Sequence, residues 1–177
     1  MNQNLNRWNS LIRNINDFPA PGIVFRDITP LIQDATALLE VSKALGDFDT
    51  EATQIAGIEA RGFIFATGAA LLSHRGFTPI RKKGKLPFST FEESYGLEYG
   101  EDSIQIHTDA LKPTDSVLLI DDVLATGGTL AAAIRLIEQS GAKVKTISVL
   151  LEIESLNGRA KLFQEFPNIA VRSLLKG

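Results

Sequence analysis

The chain has 177 residues, of which 44% are hydrophobic and 22% charged, and its formal net charge is −3. These values fit one ordinary domain with a buried core, and they argue against disorder, a membrane span and broad nucleic-acid binding. The absence of cysteine excludes disulfides and thiolate metal sites, and it suits a cytoplasmic location. The polar N-terminus lacks the apolar run of a signal peptide. Because the net charge is negative, any anionic ligand must be attracted by a local cluster of positive charge.

The first part of the chain predicts a helix, a loop and a second helix. Apolar residues at helical spacing place the first helix at about Asn4 to Ile15. Three prolines and a glycine within Asp17–Leu31 exclude a regular helix, so we expect an ordered, extended loop there. The segment Leu38–Phe48 again has the pattern of a helix.

The middle of the chain alternates apolar strands with a helix and then becomes polar. Gln54–Ile58 is predicted as a strand, and an apolar helix that ends near His74 follows it. Phe77–Arg81 is the second strand. The breaker-rich stretch Lys82–Glu93 is expected to be mobile. A hairpin is then predicted from two alternating segments, Tyr95–Tyr99 and Ser103–His107, and Tyr95 is assigned a packing or exposed loop role.

The last third begins with a third buried strand, Val117–Ile120, which is expected to stop at two aspartates. A helix beginning at Thr129 is predicted to end at Gly141. The remaining predicted elements are a strand, a short helix and a final strand, at Lys143–Ile153, Ser155–Phe163 and Asn168–Leu175. This alternation predicts an α/β fold with a mainly parallel central sheet flanked by helices.

The stretch after the third strand has the residues of a sugar-phosphate site. Asp121 and Asp122 lie where open α/β sheets bind ligands, and two ionised neighbours usually need a hydroxyl-rich ligand or a metal as partner. Carboxylates accept hydrogen bonds from sugar hydroxyls. The glycines and the helix start within Thr126–Thr129 suit a phosphate. Together these features predict binding of a ribose 5-phosphate.

Simpler interpretations of the same residues stay open. The segment Val117–Thr129 could simply be a strand, a solvated turn and the capped start of a helix. Arg61 could cap a surface loop, and the basic cluster that contains Lys82 and Lys83 could be a solvated face. Dinucleotide and Walker-type sites are weaker alternatives, because no G-x-G-x-x-G follows the first strand and no Gly-Lys-Ser/Thr occurs.

Four segments carry a resemblance to a known family. Val117–Thr129 resembles the phosphoribosyl-pyrophosphate (PRPP) binding motif of the type I phosphoribosyltransferases. Three others are similar to the adenine phosphoribosyltransferases of that group, and weaker similarity continues through Leu150–Leu162. The three are the adenine-recognition segment Phe18–Leu31, the pyrophosphate loop Gly57–Ala66, and the catalytic loop Arg81–Pro87 with Tyr95–Gly100. The resemblance thus covers nearly the whole chain.

The resemblance implies a type I phosphoribosyltransferase fold with a small hood and a flexible hairpin loop. It implies a single domain of residues 1–177, with residues 1–35 contributing to the base-binding hood. The implied activity is purine salvage, in which the 5-phosphoribosyl group of PRPP passes to adenine and gives AMP and pyrophosphate. Mg²⁺ is the implied cofactor, held through the substrate rather than mainly by protein, and a homodimer is the implied assembly.

The resemblance also implies roles for individual residues. Glu98 and Arg61 are the catalytic assignments, and Glu98 would handle the purine proton. The other assignments are PRPP and AMP binding by Asp121, Asp122, Ala125, Thr126, Gly127, Gly128 and Thr129, pyrophosphate binding by Glu59, Ala60, Arg61, Arg81 and Lys85, and adenine binding by Val24, Phe25, Arg26 and Val123. A strained non-proline peptide is also implied in the Glu59–Gly62 turn, the cis form being one possibility.

Two rival functions fit parts of the pattern. A PRPP-sensing regulator would keep the fold without the chemistry, but such proteins usually carry a DNA-binding module. The intact segments Glu59–Phe63 and Leu97–Gly100 favour an enzyme instead. Transfer to another purine, such as xanthine or hypoxanthine, is the second alternative.

Overall fold

A computed structural model describes residues 2–96 and 101–177 of the chain. The chain divides into two compact units, Met1–Val41 and Ser42–Gly177. The expected single domain, with residues 1–35 contributing to a base-binding hood, stays a prediction. None of the helices in the described residues has the length and apolar character needed to cross a membrane.

The first unit contains a two-stranded antiparallel sheet and short helices. Its elements are α1 (Asn2–Ser10), β1 (Arg13–Asn16), β2 (Val24–Asp27), α2 (Thr29–Gln33) and the start of α3 (Ala35–Gly46). The predicted first helix is wrong at its end, because Ile15 lies in β1 opposite Phe25. Arg13 donates hydrogen bonds from Nε and Nη2 to Asp27 Oδ2, at 3.0 and 2.6 Å. Pairing with β2 outweighs the helical spacing here.

The expected extended loop at Asp17–Leu31 is also wrong in its second half, which forms β2 and the start of α2. Its first half remains outside helices and strands and includes a cis Phe18–Pro19 peptide. Pro30 lies in the first turn of α2, where its missing N–H costs no hydrogen bond.

The second unit is built on a seven-stranded sheet. Its strands are β3 (Gln54–Ile58), β4 (Gly76–Lys82), β5 (Thr90–Gly96), β6 (Glu101–His107), β7 (Ser116–Leu124), β8 (Lys143–Glu152) and β9 (Ala170–Lys176), in the sheet order β5-β6-β4-β3-β7-β8-β9. Its helices beyond α3 are α4 (Arg61–Leu72), α5 (Gly128–Gln139) and α6 (Gly158–Glu165), and Glu154–Leu156 forms a 3-10 turn. Five neighbouring strands run parallel, in the order β4-β3-β7-β8-β9, and β5 and β6 add an antiparallel hairpin beside β4. The predicted fold class is confirmed.

Apolar side chains explain why these elements pack as layers. The strands β3 and β7 are mostly apolar, and β8 is buried along most of its length, as expected for parallel strands covered on both faces. Phe65 of α4 and Ile134 of α5 are fully buried. As predicted, Gly141 follows the end of α5, with φ +86° and its N–H bonded to the carbonyl of Glu138.

The strand order places two loops side by side. β3 and β7 are parallel neighbours, with Gly57 opposite Ile120, so both strands end at the same edge of the sheet. The loop after β3 contains Glu59 and Ala60 and leads into Arg61, the first residue of α4, and the loop after β7 contains Ala125 to Gly127. The segments predicted to bind pyrophosphate and phosphate therefore meet at one edge.

Candidate active site

The two aspartates lie inside β7 rather than beyond its end, so the predicted strand boundary is wrong. β7 continues to Leu124 because β8 is long enough to pair with it, Asp121 opposite Val149 and Val123 opposite Leu151. Asp121 and Asp122 are only 9% and 5% exposed. Two adjacent carboxylates are therefore held in the sheet, where water solvates them poorly.

Burial and a nearby arginine set the charge of this pair. Arg61 Nη2 lies 2.8 Å from Asp122 Oδ2, and the Asp122 N–H donates a 2.9 Å hydrogen bond to Asp121 Oδ1. Burial raises the pKa of Asp121 well above its ordinary value, and the neighbouring Asp122 charge adds to the rise. Burial also raises the pKa of Asp122, against the opposing effect of the Arg61 charge. A ligand that donates hydrogen bonds to ionised carboxylates would stabilise the charged form.

Next to Asp121 lies a small cavity of about 110 Å³. It brings together most of the residues predicted to bind PRPP and the residue predicted to pack on adenine. The lining consists of Asp121, Val123, Ala125, Thr126, Gly127, Gly128, Thr129 and Leu130. The cavity is therefore bordered both by the residue Asp121 and by the first residues of α5. Leu130 was missed in the sequence because its spacing marks it as a core residue of α5.

The turn before α5 has the backbone of an anion site. Gly127 has φ +81°, a left-handed conformation that L-residues with a Cβ rarely adopt, and it directly precedes the first residue of α5. The first N–H groups of a helix have no partner within the helix and carry the positive end of its dipole. A phosphate in the cavity can accept hydrogen bonds from them.

Gly158, at the start of α6, supports this turn from behind. A Cβ added to Gly158 would lie 2.2 Å from the carbonyl oxygen of Ala125 and 3.0 Å from the Gly127 nitrogen. Real Cβ atoms are never this close, so only glycine allows the turn to approach α6 as it does. Sequence reasoning missed Gly158, because nothing local distinguishes it from an ordinary glycine at a helix start.

The residues predicted to bind pyrophosphate form a second group at the same edge. The Glu59–Ala60 peptide is cis, so the implied non-proline cis form is confirmed. Arg81 Nε donates a 2.8 Å hydrogen bond to Glu59 Oε2, and Arg81 Nη1 donates to the carbonyl of Lys85 at 3.0 Å. Glu59, Arg81 and Lys85 are thus brought together, whereas Arg61 pairs with Asp122.

The hairpin begins earlier than the sequence predicted. Lys82 ends β4 and Thr90 starts β5, so both ends of the segment expected to be mobile are in strands. Phe91 and Tyr95 pack against the core, which explains why β5 extends back to Thr90. The Tyr95 hydroxyl also donates to Asp102 Oδ2 at 3.3 Å, a polar role that the sequence did not indicate. Glu98, the predicted catalytic acid, lies outside the described residues.

The other residues predicted to bind adenine lie on β2 of the first unit. Val24 is 46% exposed, and the Phe25 ring contacts Phe18 edge-to-face with centroids 5.2 Å apart. Arg26 Nη1 donates a 2.6 Å hydrogen bond to Asn14 Oδ1 across the two strands. The side chains of Phe25 and Arg26 are therefore engaged within their own unit.

Comparison with known proteins gives one consistent result. Residues 27–165 match the family model described as the phosphoribosyl transferase domain. The adenine phosphoribosyltransferase of Acidothermus cellulolyticus is 51% identical over 167 residues, which cover 93% of this chain and 92% of the relative.

Solved structures agree. The adenine phosphoribosyltransferase of Rhodothermus marinus is 43% identical, with a TM-score of 0.91 and 100% of both chains covered. The Giardia lamblia enzyme, solved with 9-deazaadenine, is 39% identical with a TM-score of 0.90, covering 98% of this chain and 97% of that one. The chain therefore belongs to the adenine phosphoribosyltransferases, within the phosphoribosyl transferase domain family.

Proposed function

We propose that the protein transfers the 5-phosphoribosyl group from PRPP to N9 of adenine, giving AMP and pyrophosphate. One observation carries this proposal: a single cavity combines the buried carboxylate of Asp121 with a helix N-terminus that suits a phosphate. A ribose 5-phosphate has hydroxyls that can donate to a carboxylate and a phosphate that can bind at a helix N-terminus. The relatives that match along the whole chain are named for transfer to adenine, which supports the choice of base.

In this proposal Asp121 and Asp122 bind the ribose hydroxyls. Their ionised oxygens accept hydrogen bonds, and a bound sugar replaces the water that burial excludes from them. The same negative charge stabilises the positive charge that develops on the anomeric carbon as the leaving group departs. The 5′-phosphate lies at the start of α5, where Thr126 and Thr129 add hydroxyl donors to the backbone N–H groups.

The leaving group is bound by the loop after β3 and by the end of β4. The bond from the anomeric carbon to pyrophosphate breaks and its electron pair leaves with the pyrophosphate. Adenine N9 then bonds to that carbon and releases its proton, for which Glu98 is the proposed acceptor. Three cations lie at this edge or in its loop, namely Arg61, Arg81 and Lys85. They would stabilise the negative charge of the departing pyrophosphate.

Mg²⁺ is the proposed cofactor, bound chiefly through substrate oxygens. The described residues contain no cluster of three or more His, Cys, Asp or Glu that could hold a metal by itself. Asp121 and Asp122 offer carboxylate oxygens, and Asp122 Oδ2 is buried with no hydrogen-bond donor among the described residues, Arg61 being its ionic partner. Such donors suit a hard cation that also keeps substrate ligands. When bound, the ion supplies charge neutralisation on the diphosphate.

Adenine recognition is proposed for the main chain of Val24, Phe25 and Arg26, with Val123 packing on the ring. Among the described residues β2 has one strand neighbour, so alternate residues can offer main-chain N–H and C=O groups to a ligand. The Giardia lamblia relative binds an adenine analogue, which supports adenine as the base. A cytoplasmic location and a homodimer also remain proposals.

The experiment is a substrate screen. The purified protein is mixed with PRPP and Mg²⁺, and adenine, hypoxanthine, guanine and xanthine are each added in turn. We expect nucleotide formation with adenine and little with the other bases, because their hydrogen-bonding edges leave buried groups unpaired. Product from hypoxanthine or xanthine but not adenine would contradict the base assignment, and no product from any base would contradict the activity.

A further inference from the structure

Gln105 of β6 stands between a basic and an acidic residue of the two neighbouring strands. It lies opposite Arg81 of β4 and opposite Glu92 of β5. Side chains directly opposite each other in a sheet lie on the same face and close enough to interact. Gln105 is only 8% exposed, so both polar groups of its amide need partners within the protein. A buried amide is therefore placed next to a cation proposed to bind pyrophosphate.

Both polar groups of the Gln105 amide are hydrogen-bonded. Its Oε1 accepts a 2.9 Å hydrogen bond from the Gly84 N–H, and its Nε2 donates one of 2.9 Å to Glu92 Oε2. Glu92 is also held by Lys83, whose Nζ lies 2.6 Å from Glu92 Oε1. Because the amide oxygen faces a donor and the amide nitrogen faces an acceptor, these partners fix one orientation of the side chain.

The Gly84 N–H belongs to a tight four-residue turn between β4 and β5. The turn is closed by a 3.2 Å hydrogen bond from the Lys85 N–H to the Lys82 carbonyl, and Gly84 has φ +77°, which is typical of the third residue of a type II turn. The closing bond satisfies the N–H of the last residue of the turn but not that of the third. Gln105 supplies the acceptor for this third N–H, so it attaches the turn to β6.

The last residue of the turn holds Arg81. Arg81 Nη1 donates a 3.0 Å hydrogen bond to the Lys85 carbonyl, while Arg81 Nε donates to Glu59 Oε2. A pyrophosphate must compete with the Glu59 carboxylate for the guanidinium, but the neutral Lys85 carbonyl is a weaker competitor. The bond to Lys85 can therefore persist when a ligand is bound, and its geometry depends on the turn that Gln105 attaches.

We propose that Gln105 is a positioning residue for Arg81 at the pyrophosphate end of the site. Its Oε1 holds the turn, which keeps the Lys85 carbonyl in place for the Arg81 guanidinium. Its Nε2 holds Glu92, two strands away from Arg81, so that this carboxylate does not pair with the arginine. This inference rests on the proposed function, because it requires that Arg81 binds the leaving pyrophosphate.

The test is a double-mutant cycle on the full chain, with inorganic pyrophosphate and ribose 5-phosphate as calorimetric probes. Gln105→Met keeps the length of the side chain and removes both hydrogen bonds. It should weaken pyrophosphate binding about fivefold, a loss of the size expected for one neutral hydrogen bond. Ribose 5-phosphate binding should change by less than about twofold. In an Arg81→Gln background, Gln105→Met should have almost no further effect, within about twofold.

Two further variants sharpen the cycle. Gln139→Met is the matched control, because Gln139 of α5 also donates from its amide to a glutamate of β5, at 3.1 Å from Glu93 Oε2. It should leave the binding of both probes unchanged. Gln105→Asn replaces Gln105→Met if that variant does not fold. Its amide is shorter by one methylene and loses at least one of the two hydrogen bonds, so the same selective loss is expected.

Three results would overturn the inference and leave Gln105 with only a structural role. They are equal losses of both probes, additive losses in the cycle, and an unchanged affinity for pyrophosphate. If one of them is found while the wild-type protein makes AMP, this inference alone fails. If the wild-type protein neither binds pyrophosphate nor makes AMP, the proposed function fails with it.

Discussion

The two ends of the candidate site are built differently. At the phosphate end, one continuous segment from Asp121 to Thr129 supplies most of the lining, and Gly158 fixes its turn from behind. At the pyrophosphate end, the two arginines come from separate segments and are already paired. Arg81 is bonded to Glu59, and Arg61 is paired with Asp122.

The two ends therefore differ in how far the protein must rearrange when a ligand binds. The phosphate end offers backbone groups that need little rearrangement, which is a form of preorganisation. At the pyrophosphate end, an incoming ligand must compete with carboxylates of the protein for each arginine. We therefore expect affinity at the phosphate end to depend mainly on the shape of the backbone. Affinity at the pyrophosphate end should depend mainly on the charge of the side chains.

The largest effect should follow from changing the residues between the two ends. Asp121→Asn together with Asp122→Asn removes the charged acceptors for the ribose hydroxyls and the partner of Arg61. Because a hydrogen bond to a charged group contributes about 1.5–3 kcal/mol, kcat/KM for PRPP should fall by about a thousandfold. The fold should survive, since two buried like charges disappear, and the melting temperature checks this. Full activity in the double variant would contradict the assignment.

A change of shape at the phosphate end should come next. Gly158→Ala places a Cβ 2.2 Å from the Ala125 carbonyl oxygen, so the turn around Gly127 must move. Affinity for ribose 5-phosphate should fall by about tenfold or more, as one or two hydrogen bonds to the phosphate are lost, and pyrophosphate affinity should be retained. Unchanged ribose 5-phosphate binding in Gly158→Ala would show that this close contact is not needed.

A change of charge at the pyrophosphate end should have a smaller, selective effect. Arg81→Gln removes one of the cations proposed to bind the leaving group. Calorimetry should show pyrophosphate affinity reduced about tenfold, a loss typical of one charge-assisted hydrogen bond, with ribose 5-phosphate unaffected. The exposed Lys145→Gln serves as a control for the loss of one positive charge. A uniform loss for both ligands would mean that the two ends are not separate.

The smallest effect should be a pH dependence of ribose 5-phosphate affinity that arises from the two aspartates proposed to bind the ribose hydroxyls. The pKa values of Asp121 and Asp122 are raised, so these groups gain protons as the pH falls while ordinary carboxyls are still ionised. Because sugar hydroxyls bind ionised carboxylates more strongly than neutral carboxyls, ribose 5-phosphate affinity should decrease as the pH falls through these raised values. Inorganic phosphate, measured in parallel, corrects for titration of the phosphate itself. Identical profiles for the two ligands would exclude the carboxylates from binding.

The parts of this molecule that depend on local pattern could be predicted from the sequence. Gln54–Ile58 is a strand with the predicted bounds, because an apolar run between breakers has one satisfactory conformation. The cavity residues from Asp121 to Thr129 are likewise contiguous, so one motif indicated most of them.

Features that depend on distant contacts could not be predicted from pattern. Ile15 joins a strand because of β2, and β7 runs through its aspartates because β8 pairs beyond them. The role of Gly158 arises from the approach of Ala125, more than thirty positions away. The hydroxyl of Tyr95 gains its partner Asp102 only when β5 pairs with β6. The role of each of these residues depends on contacts that exist only in the tertiary structure.

A crystal structure of the protein with AMP bound tests the central claim most directly. We predict that the nucleotide phosphate contacts the backbone N–H groups of Gly127 to Thr129 and that the ribose hydroxyls contact Asp121 and Asp122. A nucleotide bound elsewhere, with this cavity still filled by solvent, would contradict the account.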